Sequence, residues 1–516
     1  MIAAHLLDEN SSDHSLQSLS IKHLNAPIWK DEWKPYEKSL KDLTYLPENF
    51  LEPLTKYNNS DVKWTNLLEL HVIPQLKNAG LMSLYRVEME NLKTLAAMTC
   101  HGIPINRRLL NEWERNYQQE LSDLTNSFTF NPNSSAQVLR HLQQAGYSVG
   151  STGAEVLSGL HGELPTRLLR YRRVGKILST YLEGLRAHIS PVDGRIHPRY
   201  HQNRTVSGRL SSSDPNGQNF PRDTDSLPYR QLFCGTWGLL TRLDFNQLEL
   251  RIGGHYSKGE LAKVYHEDRD IHDNTGERIW RKAKEQISDN ERVVSKVTNF
   301  TALYDPFDSA IGSVKLQCEA SGVPISWSDA RSVVTDFRGT YPDWWTFVAS
   351  VIRQVYNQGW VRADSGRIRR APGSLSNFGK AGPPPADLRG FWKWAGTVHE
   401  KPLQELLRSI VNSLVQGLAA DITKLVGTVI DKRLRARRLQ SRLCCNVHDE
   451  LLIDTHPDEA KEVARIAWQA ATNPPTEAAF GFTLGVPLLV DISQGETWSD
   501  CKKNKKKENK LKEVYG

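Results

Sequence analysis

Two short apolar segments that each lead into an aspartate constrain the fold most strongly, because they lie about 200 positions apart in the chain. The segment LLTRLDFNQLELR places Asp244 at the end of an apolar run that is followed by a helix-like pattern. The segment RLCCNVHDELLID has apolar runs on both sides of residues 447–450, which predicts a β-hairpin with Asp449 at or just past its tip. The stretch between the two segments is mostly helical in pattern. We therefore expect an α+β body whose central sheet is assembled from separated segments around a helical insertion.

An aspartate at the end of a strand projects into a crevice where ligands bind, but an aspartate at a tight turn also has a purely structural explanation. For Asp244 or Asp449 taken alone, the structural explanation is the better one. Function is therefore inferred only from both residues together with the sequence around them.

The composition is that of a soluble protein with more than one domain. The chain has 516 residues, of which 39% are hydrophobic and 24% charged. No apolar stretch is long enough to span a bilayer, and the N-terminus does not resemble a secretory signal, so we expect no membrane association. Six cysteines without a CxxC pair indicate a reducing, cytoplasmic setting with neither a zinc site nor disulfides.

The formal net charge of +7 suits either polyanion binding or ordinary solubility. Part of it lies in residues 501–516, a lysine-rich tail that we expect to be disordered. Such a tail adds weak, salt-sensitive contacts with nucleic acid phosphates.

Four motifs in a fixed order carry a more specific signal. They are TVSGRLSSSDPNGQNFPR before Asp244, DFNQLELR at Asp244, ERVVSKVTNFTALYD in the helical insertion and NVHDEL at Asp449. They resemble the motifs of the family A DNA polymerases, the bacterial DNA polymerase I group with its phage-type members, over residues 105–498. The resemblance implies template-directed DNA synthesis, in which a primer 3′-hydroxyl attacks a deoxynucleoside triphosphate and releases pyrophosphate. It implies primer–template DNA and deoxynucleoside triphosphates as partners, in the cytoplasm of a bacterial or phage-infected cell, and the sequence indicates no particular accessory protein.

The resemblance also implies a right-hand polymerase fold of palm, fingers and thumb. We assign residues 101–186 to the thumb, 187–258 and 412–500 to the two parts of the palm, and 259–411 to the fingers. Residues 1–100 are expected to be an incomplete RNase H-like 3′–5′ exonuclease remnant. In that part, residues 57–61 (YNNSD) resemble the last exonuclease motif, but the other acidic motifs of that site are absent from the sequence, so we expect no proofreading.

By resemblance, Asp244 and Asp449 hold two Mg²⁺ ions, for which Mn²⁺ can substitute. The backbone carbonyl of Phe245 is expected to be a further ligand, and Glu450 a less essential acid of the same metal site. The residues suit the chemistry, because two divalent ions roughly 4 Å apart serve both the attacking and the leaving oxygen of an in-line displacement.

Arg292, Lys296, Phe300 and Tyr304 follow one another at four-residue steps, which places them on one face of a helix. An amphipathic surface helix explains the two bases but not the two aromatic residues that continue the row. By resemblance, Arg292 and Lys296 bind the triphosphate, and Lys296 also protonates the leaving pyrophosphate. Phe300 is expected against the incoming sugar, and Tyr304 near the templating position.

Two further residues are assigned to the nucleotide by resemblance, His272 in DIHDNTGERIW and Gln247 in DFNQ. A lone histidine is more often structural, so the role of His272 depends on the resemblance. The chain departs from the family at Thr301 and Asp305, where the family has glycine. Asp305 adds an acid near a helix that is expected to bind phosphates, so nucleotide or template handling is expected to differ.

Glu249 follows Asp244 by five residues, and in the family this glutamate blocks the space of a ribose 2′-hydroxyl. A surface pair with Arg251 is the structural alternative. A glutamate here also argues against a single-subunit RNA polymerase, which has a small residue at this position. The other alternative is a non-catalytic nucleic-acid-binding relative, and retention of Asp244, Lys296 and Asp449 argues against it.

A polymerase must hold duplexes of every sequence, and the minor groove offers hydrogen-bond acceptors at similar places for all base pairs. Side chains that resemble the family's duplex contacts could be satisfied by DNA, although an internal hydrogen-bond network is the alternative. They are Arg209, Asn216, Gln218, Asn219, Arg408, Asn412, Gln416 and His448.

Overall fold

The protein is described by a computed structural model that covers residues 1–40, 47–224, 227–373 and 378–501. The lysine-rich tail expected from the sequence lies outside these residues, apart from Cys501, which is buried.

A four-stranded antiparallel sheet forms the centre of the molecule, in the order β10-β5-β9-β8. Its strands are β5 (Leu240–Phe245), β8 (Arg442–Val447), β9 (Glu450–Asp454) and β10 (Val490–Gly495). Three distant parts of the chain therefore supply the sheet, as the sequence predicted.

Alternation along the strands gives the central sheet two different faces. Leu243 and Leu451 pack into the largest hydrophobic core, together with helices of the insertion. Leu240 and Leu452 pack into a second core, which includes Trp498. Polar residues that share a face with Leu240 and Leu452, Asp244 among them, lie toward the end of the sheet where the candidate site is found.

Three two-stranded sheets complete the strand structure of the described residues. They are formed by β1 (Ile103–Pro104) with β2 (Arg195–Ile196), β3 (Arg199–His201) with β4 (Ser211–Ser213), and β6 (Trp360–Arg362) with β7 (Ile368–Arg370). The β6–β7 hairpin interrupts a region that the sequence predicted to be helical.

Helices dominate the rest of the molecule. Before the central sheet lie α1 (Ile2–Leu7), α2 (Leu16–Leu24), α3 (Lys34–Leu40), α4 (Leu51–Asn78), α5 (Met82–His101), α6 (Arg107–Asn126), α7 (Ser135–Gln144), α8 (Ala154–Ser158), α9 (Glu163–Lys176), a π-helical turn (Ile177–Glu183) and α10 (Gly184–Arg186). After β5 follow α11 (Leu248–Ser257), α12 (Glu260–His266), α13 (Ile271–Trp280), α14 (Asp289–Ala302), α15 (Ser309–Ala320), α16 (Trp327–Thr340), α17 (Pro342–Gln358) and α18 (Leu388–Ala395). The last helices are α19 (Lys401–Ala436), α20 (Ala460–Thr472) and α21 (Thr476–Phe480).

The long helix α19 runs beside the sheet and is buried over most of its length. By length and composition it could cross a membrane, but 83% of its most apolar window is buried within the protein, as in the core helix of a globular fold. The expected boundary between fingers and palm at residues 411/412 falls inside α19, so the chain has no break there.

The first 101 residues form helices only, within the ranges 1–40 and 47–101. The Tyr57–Asp61 pair expected from the exonuclease motif lies on α4, where Asp61 accepts a hydrogen bond from the Trp29 indole at 2.7 Å. Asp61 is thus part of the packing between α4 and the segment before it. The described N-terminal residues contribute no strand of an RNase H-like sheet, and the assignment as a remnant stays a prediction.

A buried ionic cluster fastens α5 to the rest of the protein. Glu88 on α5 is 1% exposed and accepts a hydrogen bond from Lys424 of α19 at 2.6 Å. It accepts another from Arg367, the residue just before β7. Arg367 also binds Asp421 at 2.6 Å. Each charge in this cluster has an opposite partner, which is the condition for burying charges at acceptable cost.

Candidate active site

The two aspartates come together at one end of the central sheet. Asp244 is the next-to-last residue of β5, and Asp449 lies in the two-residue turn between β8 and β9. The backbone N–H of Phe245 donates to the carbonyl oxygen of Asp449 at 3.4 Å. Burial and then the negative charge of Asp244 raise the pKa of Asp449 to about 6. Two carboxylates that oppose each other's ionisation in this way form a site that favours cations.

A buried glutamine fixes the turn that carries Asp449. His448 occupies the left-handed backbone region with a φ of 57°, and its N–H donates to Oε1 of Gln218 at 3.0 Å. Nε2 of Gln218 donates to the carbonyl oxygen of Asn446 at 2.7 Å. The resemblance implied a DNA contact for Gln218. Here both ends of its amide bind the backbone of the hairpin, so its role in this structure is to position the turn.

Glu450 lies directly opposite Asp244 in the sheet but is held by other residues. It is buried and accepts hydrogen bonds from Arg242 at 2.8 Å, from Arg230 at 3.4 Å and from the indole of Trp498. Burial alone would raise the pKa of Glu450, but these donors, Arg242 above all, hold it below its usual value. The expectation that Glu450 is a metal ligand is therefore not supported, because its oxygens already have partners.

The remaining donors fit a divalent cation. The carboxylates of Asp244 and Asp449 and the carbonyl of Phe245 are hard oxygen ligands of the kind that Mg²⁺ and Mn²⁺ prefer. Among the described residues, no three histidine, cysteine or acidic side chains converge as ligands. An ion held by Asp244 and Asp449 would complete its shell with water and with substrate oxygens, as Mg²⁺ usually does at phosphate sites.

Helix α14 provides the cationic wall of the site. It begins at a capping box, in which the Ser288 side chain accepts from the N–H of Glu291 and the Glu291 carboxylate accepts from the N–H of Ser288. Lys296 and Phe300 are exposed on the side that faces the aspartates, and Phe300 is 49% exposed. An aromatic ring left open to solvent beside an ammonium group is a surface on which a sugar or a base can lie.

The first residue of the predicted row, Arg292, is held by an acid. Its Nε donates to Asp273 at 2.8 Å, and the same carboxylate binds Lys284 at 2.8 Å. The four-residue row is also shorter than the sequence indicated, since α14 ends at Ala302 and Tyr304 lies beyond its end.

Tyr304 instead reaches across to motif A. Its hydroxyl donates to Oε2 of Glu249 at 3.0 Å, while Oε1 of Glu249 accepts from Arg209. Burial and the charge of Glu249 raise the pKa of Tyr304 well above its usual value, so the phenol stays a donor. The structural alternative for Glu249, a pair with Arg251, is wrong, because Arg251 donates to backbone carbonyls of Asn246 and Pro487.

His272 lies beneath the cationic wall. It is buried, its Nδ1 is 2.9 Å from Nδ2 of Asn299, and its ring is 5.4 Å from the ring of Phe300. Burial lowers the pKa of His272 to about 4, so the ring is neutral near pH 7. Gln247, in the left-handed region with a φ of 55°, is bound to Tyr265 at 3.3 Å.

The expected duplex contacts are spread along one side of the site. Arg408, Asn412 and Gln416 lie four residues apart on α19, each partly exposed. Arg408 donates to Asp305 at 2.9 Å, so it is engaged within the protein and not directed at an open surface. Oδ1 of Asn412 is buried and has no hydrogen-bond partner in the part of the chain that the structure describes.

The other side of the expected duplex surface is formed by loops. Asn216 and Asn219 are exposed, and the side chain of Asn216 accepts from the N–H of Gln218 at 3.2 Å. His448 is exposed beside Asp449.

A cleft of about 970 Å³ joins these groups. Its lining combines the carboxylates, the cationic wall, Glu249 and part of the expected duplex surface. The predicted site residues in that lining are Arg209, Gln218, Asp244, Phe245, Gln247, Glu249, His272, Arg292, Lys296, Phe300, His448 and Asp449. Tyr304, Glu450, Asn216, Asn219, Arg408, Asn412 and Gln416 lie outside it.

Several residues of the site could not be assigned from the sequence. Arg242 binds Asp244 at 2.9 Å as well as Glu450, and its position two residues before Asp244 on a strand was an available signal. Asp273 and Lys284 carry no such signal, because their pairing with Arg292 depends on how α13 packs against α14. Asn91 of α5 also lines the cleft, so the N-terminal helices supply part of its wall.

Such an arrangement, with paired carboxylates facing a cationic, partly aromatic helix, defines a site for a polyphosphate with divalent ions. Comparison with known proteins assigns the family. The sequence model of "DNA polymerase family A" matches residues 106–500, and the chain belongs to this family.

Curated relatives are DNA polymerase I enzymes of bacteria. The chain is 30% identical to DNA polymerase I of Lactococcus lactis subsp. cremoris over 467 residues, which is 84% of this chain and 49% of the relative. It is 28% identical to DNA polymerase I of Geobacillus stearothermophilus over 531 residues, which is 97% of this chain and 55% of the relative. The chain thus spans about half the length of these relatives.

The fold is similar to that of the POL domain of Pol1 from M. smegmatis, solved in complex with DNA primer-template and dNTP. The TM-score is 0.74 at 21% sequence identity, and the similarity covers 97% of this chain and 81% of the other. The expected polymerase architecture is confirmed by this likeness.

Proposed function

We propose that this chain is a DNA-directed DNA polymerase that extends a primer by transferring nucleotides from deoxynucleoside triphosphates with release of pyrophosphate. The observation that carries the proposal is the single cleft in which Asp244 and Asp449 face Arg292 and Lys296. Membership of the DNA polymerase family supports it. The M. smegmatis relative was solved with DNA primer-template and dNTP, and we infer the same partners for this chain.

We propose Mg²⁺ as the cofactor, as two ions held by Asp244, Asp449 and the carbonyl of Phe245, with Mn²⁺ as a substitute. When bound, the ions supply activation of the primer hydroxyl and neutralisation of charge on the phosphates. Asp449 gains from such ions because burial and the negative charge of Asp244 now penalise its ionised form.

The protein's own groups position the nucleotide. Lys296, exposed in the cleft, offers an ammonium group to the triphosphate and a proton to the departing pyrophosphate. Arg292 releases Asp273 and binds phosphate oxygens in its place. Phe300 supports the sugar, and Glu249, anchored by Tyr304 and Arg209, occupies the space that a 2′-hydroxyl would need.

The duplex lies along Asn216, Asn219, His448, Asn412 and Gln416 in this proposal. Asn216, Asn219 and His448 are exposed, which supports the placement because they are open to a duplex. The similarity to bacterial DNA polymerase I enzymes supports a cytoplasmic location.

Primer extension with a labelled primer–template, the four deoxynucleoside triphosphates and Mg²⁺ tests the proposal. We expect extension by the unaltered protein and a loss of about 10³-fold or more for Asp244→Asn and for Asp449→Asn, because each removes a cation ligand. Duplex binding by both variants should persist. Glu285→Gln, in the loop before α14, is the matched control and should extend normally. Normal extension by either aspartate variant would refute the assignment of the site.

A further inference from the structure

The acid that replaces a family glycine after Tyr304 is built into the structure. Asp305 is 4% exposed and accepts three hydrogen bonds, from the N–H of Phe307 at 2.9 Å, from the Ser309 hydroxyl at 2.8 Å and from Arg408 at 2.9 Å. Arg408 also donates to the Ser309 hydroxyl at 3.2 Å. The first two contacts organise the turn into α15, which a serine or asparagine could also do. The ion pair with Arg408 is specific to a carboxylate.

The Asp305–Arg408 ion pair joins the end of the proposed nucleotide-binding helix to the helix that carries the proposed duplex contacts. Asp305 comes three residues after the end of α14, which carries Lys296 and Phe300, whereas Arg408 stands on α19 in the same row as Asn412 and Gln416. A cation in that row would otherwise lie free beside the proposed path of the duplex. Because the ion pair is partly buried, with side-chain exposures of 29% and 5%, solvent screens it less than a surface pair.

We propose that Asp305 withholds Arg408 from the primer–template duplex and thereby couples the grip on DNA to the position of the nucleotide-binding helix. In the nucleotide-free protein, Arg408 is then held by Asp305 and does not contact the duplex. It becomes a phosphate contact only when Asp305 no longer holds it. The inference rests on the proposed function, because it concerns how the same protein holds its duplex.

The neighbourhood favours this inference over a purely structural ion pair. The end of α14 is already fixed by two other contacts, the Tyr304 hydroxyl to Glu249 and the Trp344 indole to the carbonyl oxygen of Leu303 at 2.7 Å. A third anchor adds little to folding. The Asp305–Arg408 pair does, however, neutralise one positive charge on the side of α19 that faces the proposed path of the duplex.

Counterion release provides the test, because each phosphate neutralised by a cation adds about 0.9 to the slope of log affinity against log salt concentration. Equilibrium binding of a fluorescent primer–template is measured by anisotropy from 50 to 200 mM salt, without nucleotide or divalent ion. The variants are Asp305→Asn, Arg408→Gln and the double variant. Asparagine keeps an oxygen for the N–H of Phe307 and removes the charge.

Asp308→Asn is the matched control, since it removes the same charge from the same turn at an exposed side chain that does not contact Arg408. We expect Arg408→Gln to keep the slope of the unaltered protein. We expect Asp305→Asn to steepen it by about 0.9, so that roughly 3.5-fold more affinity is lost across this salt range than in the Asp308→Asn control. The double variant should return to the original slope.

Two results would overturn the inference. One is a slope reduced by about 0.9 in Arg408→Gln, which would mean that Arg408 already contacts a phosphate. The other is an Asp305→Asn slope equal to that of Asp308→Asn. If Asp305→Asn does not fold, as judged by thermal unfolding, the Arg408→Gln slope still decides. A failure of the proposed function is distinguishable, because the unaltered protein would then not extend the same primer–template when the four deoxynucleoside triphosphates and Mg²⁺ are added.

Discussion

At the scale of single residues, the site is defined by carboxylates with different surroundings. Asp449 faces the charge of Asp244 and is buried, and its pKa is raised to about 6. Glu450, the next residue in the chain, is surrounded by Arg242, Arg230 and Trp498, and its pKa is lowered. The two adjacent acids thus have opposite surroundings. Those of Asp449 favour the binding of a cation, whereas the charge of Glu450 is already neutralised by the protein.

This difference predicts that Asp449→Asn stabilises the metal-free protein. Asp449 binds a proton more tightly in the folded state than in the unfolded state, where its pKa is near 3.8. Stability therefore decreases as pH rises from about 4 to about 6. With a chelator at pH 7.5, we expect Asp449→Asn to unfold at a higher temperature than the unaltered protein. The free energy of unfolding should be larger by up to about 3 kcal/mol.

Thermal unfolding at pH 7.5 and at about pH 3 measures the effect. The two proteins should converge at about pH 3, below both pKa values, where Asp449 is protonated in both states, and added Mg²⁺ should stabilise only the unaltered protein. Equal stability of the two proteins in chelator at pH 7.5 would contradict the repulsion between Asp449 and Asp244.

A second prediction concerns the choice of sugar. Glu249→Ala should raise the ratio of ribonucleotide to deoxynucleotide incorporation by on the order of tenfold or more, because truncation opens the 2′ space. Tyr304→Phe should raise it less, since Glu249 keeps its second anchor, Arg209. Ratios of kcat/KM for the two nucleotides measure both effects, and an unchanged ratio in Glu249→Ala would exclude the gate.

How well the role of a residue could be predicted depends on how far away in the sequence its interaction partners lie. Asp244, Asp449 and Lys296 were assigned from short motifs, because their roles depend on neighbours within a strand, a turn or a helix. The Asp305–Arg408 pair joins residues 103 positions apart, and no local pattern indicates it. Gln218 was assigned to DNA for the same reason, because nothing in PNGQN shows that the β8–β9 turn packs against it.

At the scale of elements, the strands that the sequence predicted best are those with long apolar runs. The β8–β9 hairpin was predicted from its two apolar runs and the polar tip between them. The β6–β7 hairpin was missed, because strands of three residues rich in arginine give no period to detect. Its place in the fold depends on the ionic cluster of Glu88, Arg367 and Lys424.

That cluster gives a prediction for α5. Glu88→Gln should lower the free energy of unfolding by about 3–5 kcal/mol, because it leaves Arg367 and Lys424 buried with less negative charge. Glu90→Gln, two residues further on the same helix but bound to Lys432 at the surface, should change it by less than about 1 kcal/mol. Urea denaturation measures both variants, and similar losses in the two would argue against a cluster that fastens α5.

At the scale of the whole molecule, residues 1–40 and 47–101 pack against the part of the chain that forms the cleft, and we expect them to support it. They form helices, they bury charges against α19, and Asn91 lines the cleft. Asp61, the acid that most resembles an exonuclease ligand, binds the Trp29 indole instead.

We therefore predict that the chain does not proofread. A labelled primer with a mismatched 3′ end should remain full length when incubated with Mg²⁺ and no nucleotides, because a two-metal nuclease needs several converging carboxylates. Asp61→Ala should lower thermal stability by about 1 kcal/mol through the lost hydrogen bond, and leave extension unchanged. Shortening of the primer that disappears in Asp61→Ala would disprove the prediction.

The order of the strands in the central sheet also has a consequence for biosynthesis. β5, which carries Asp244, pairs with β9 and β10, and these follow it by about 200 and 245 residues. While a ribosome makes the chain, β5 must wait with both edges unpaired until the whole helical insertion between β5 and β8 has emerged. The helices of the insertion, whose contacts are local, can fold during that delay, whereas the catalytic sheet cannot. A nascent chain thus cannot complete the central sheet until translation has passed β10.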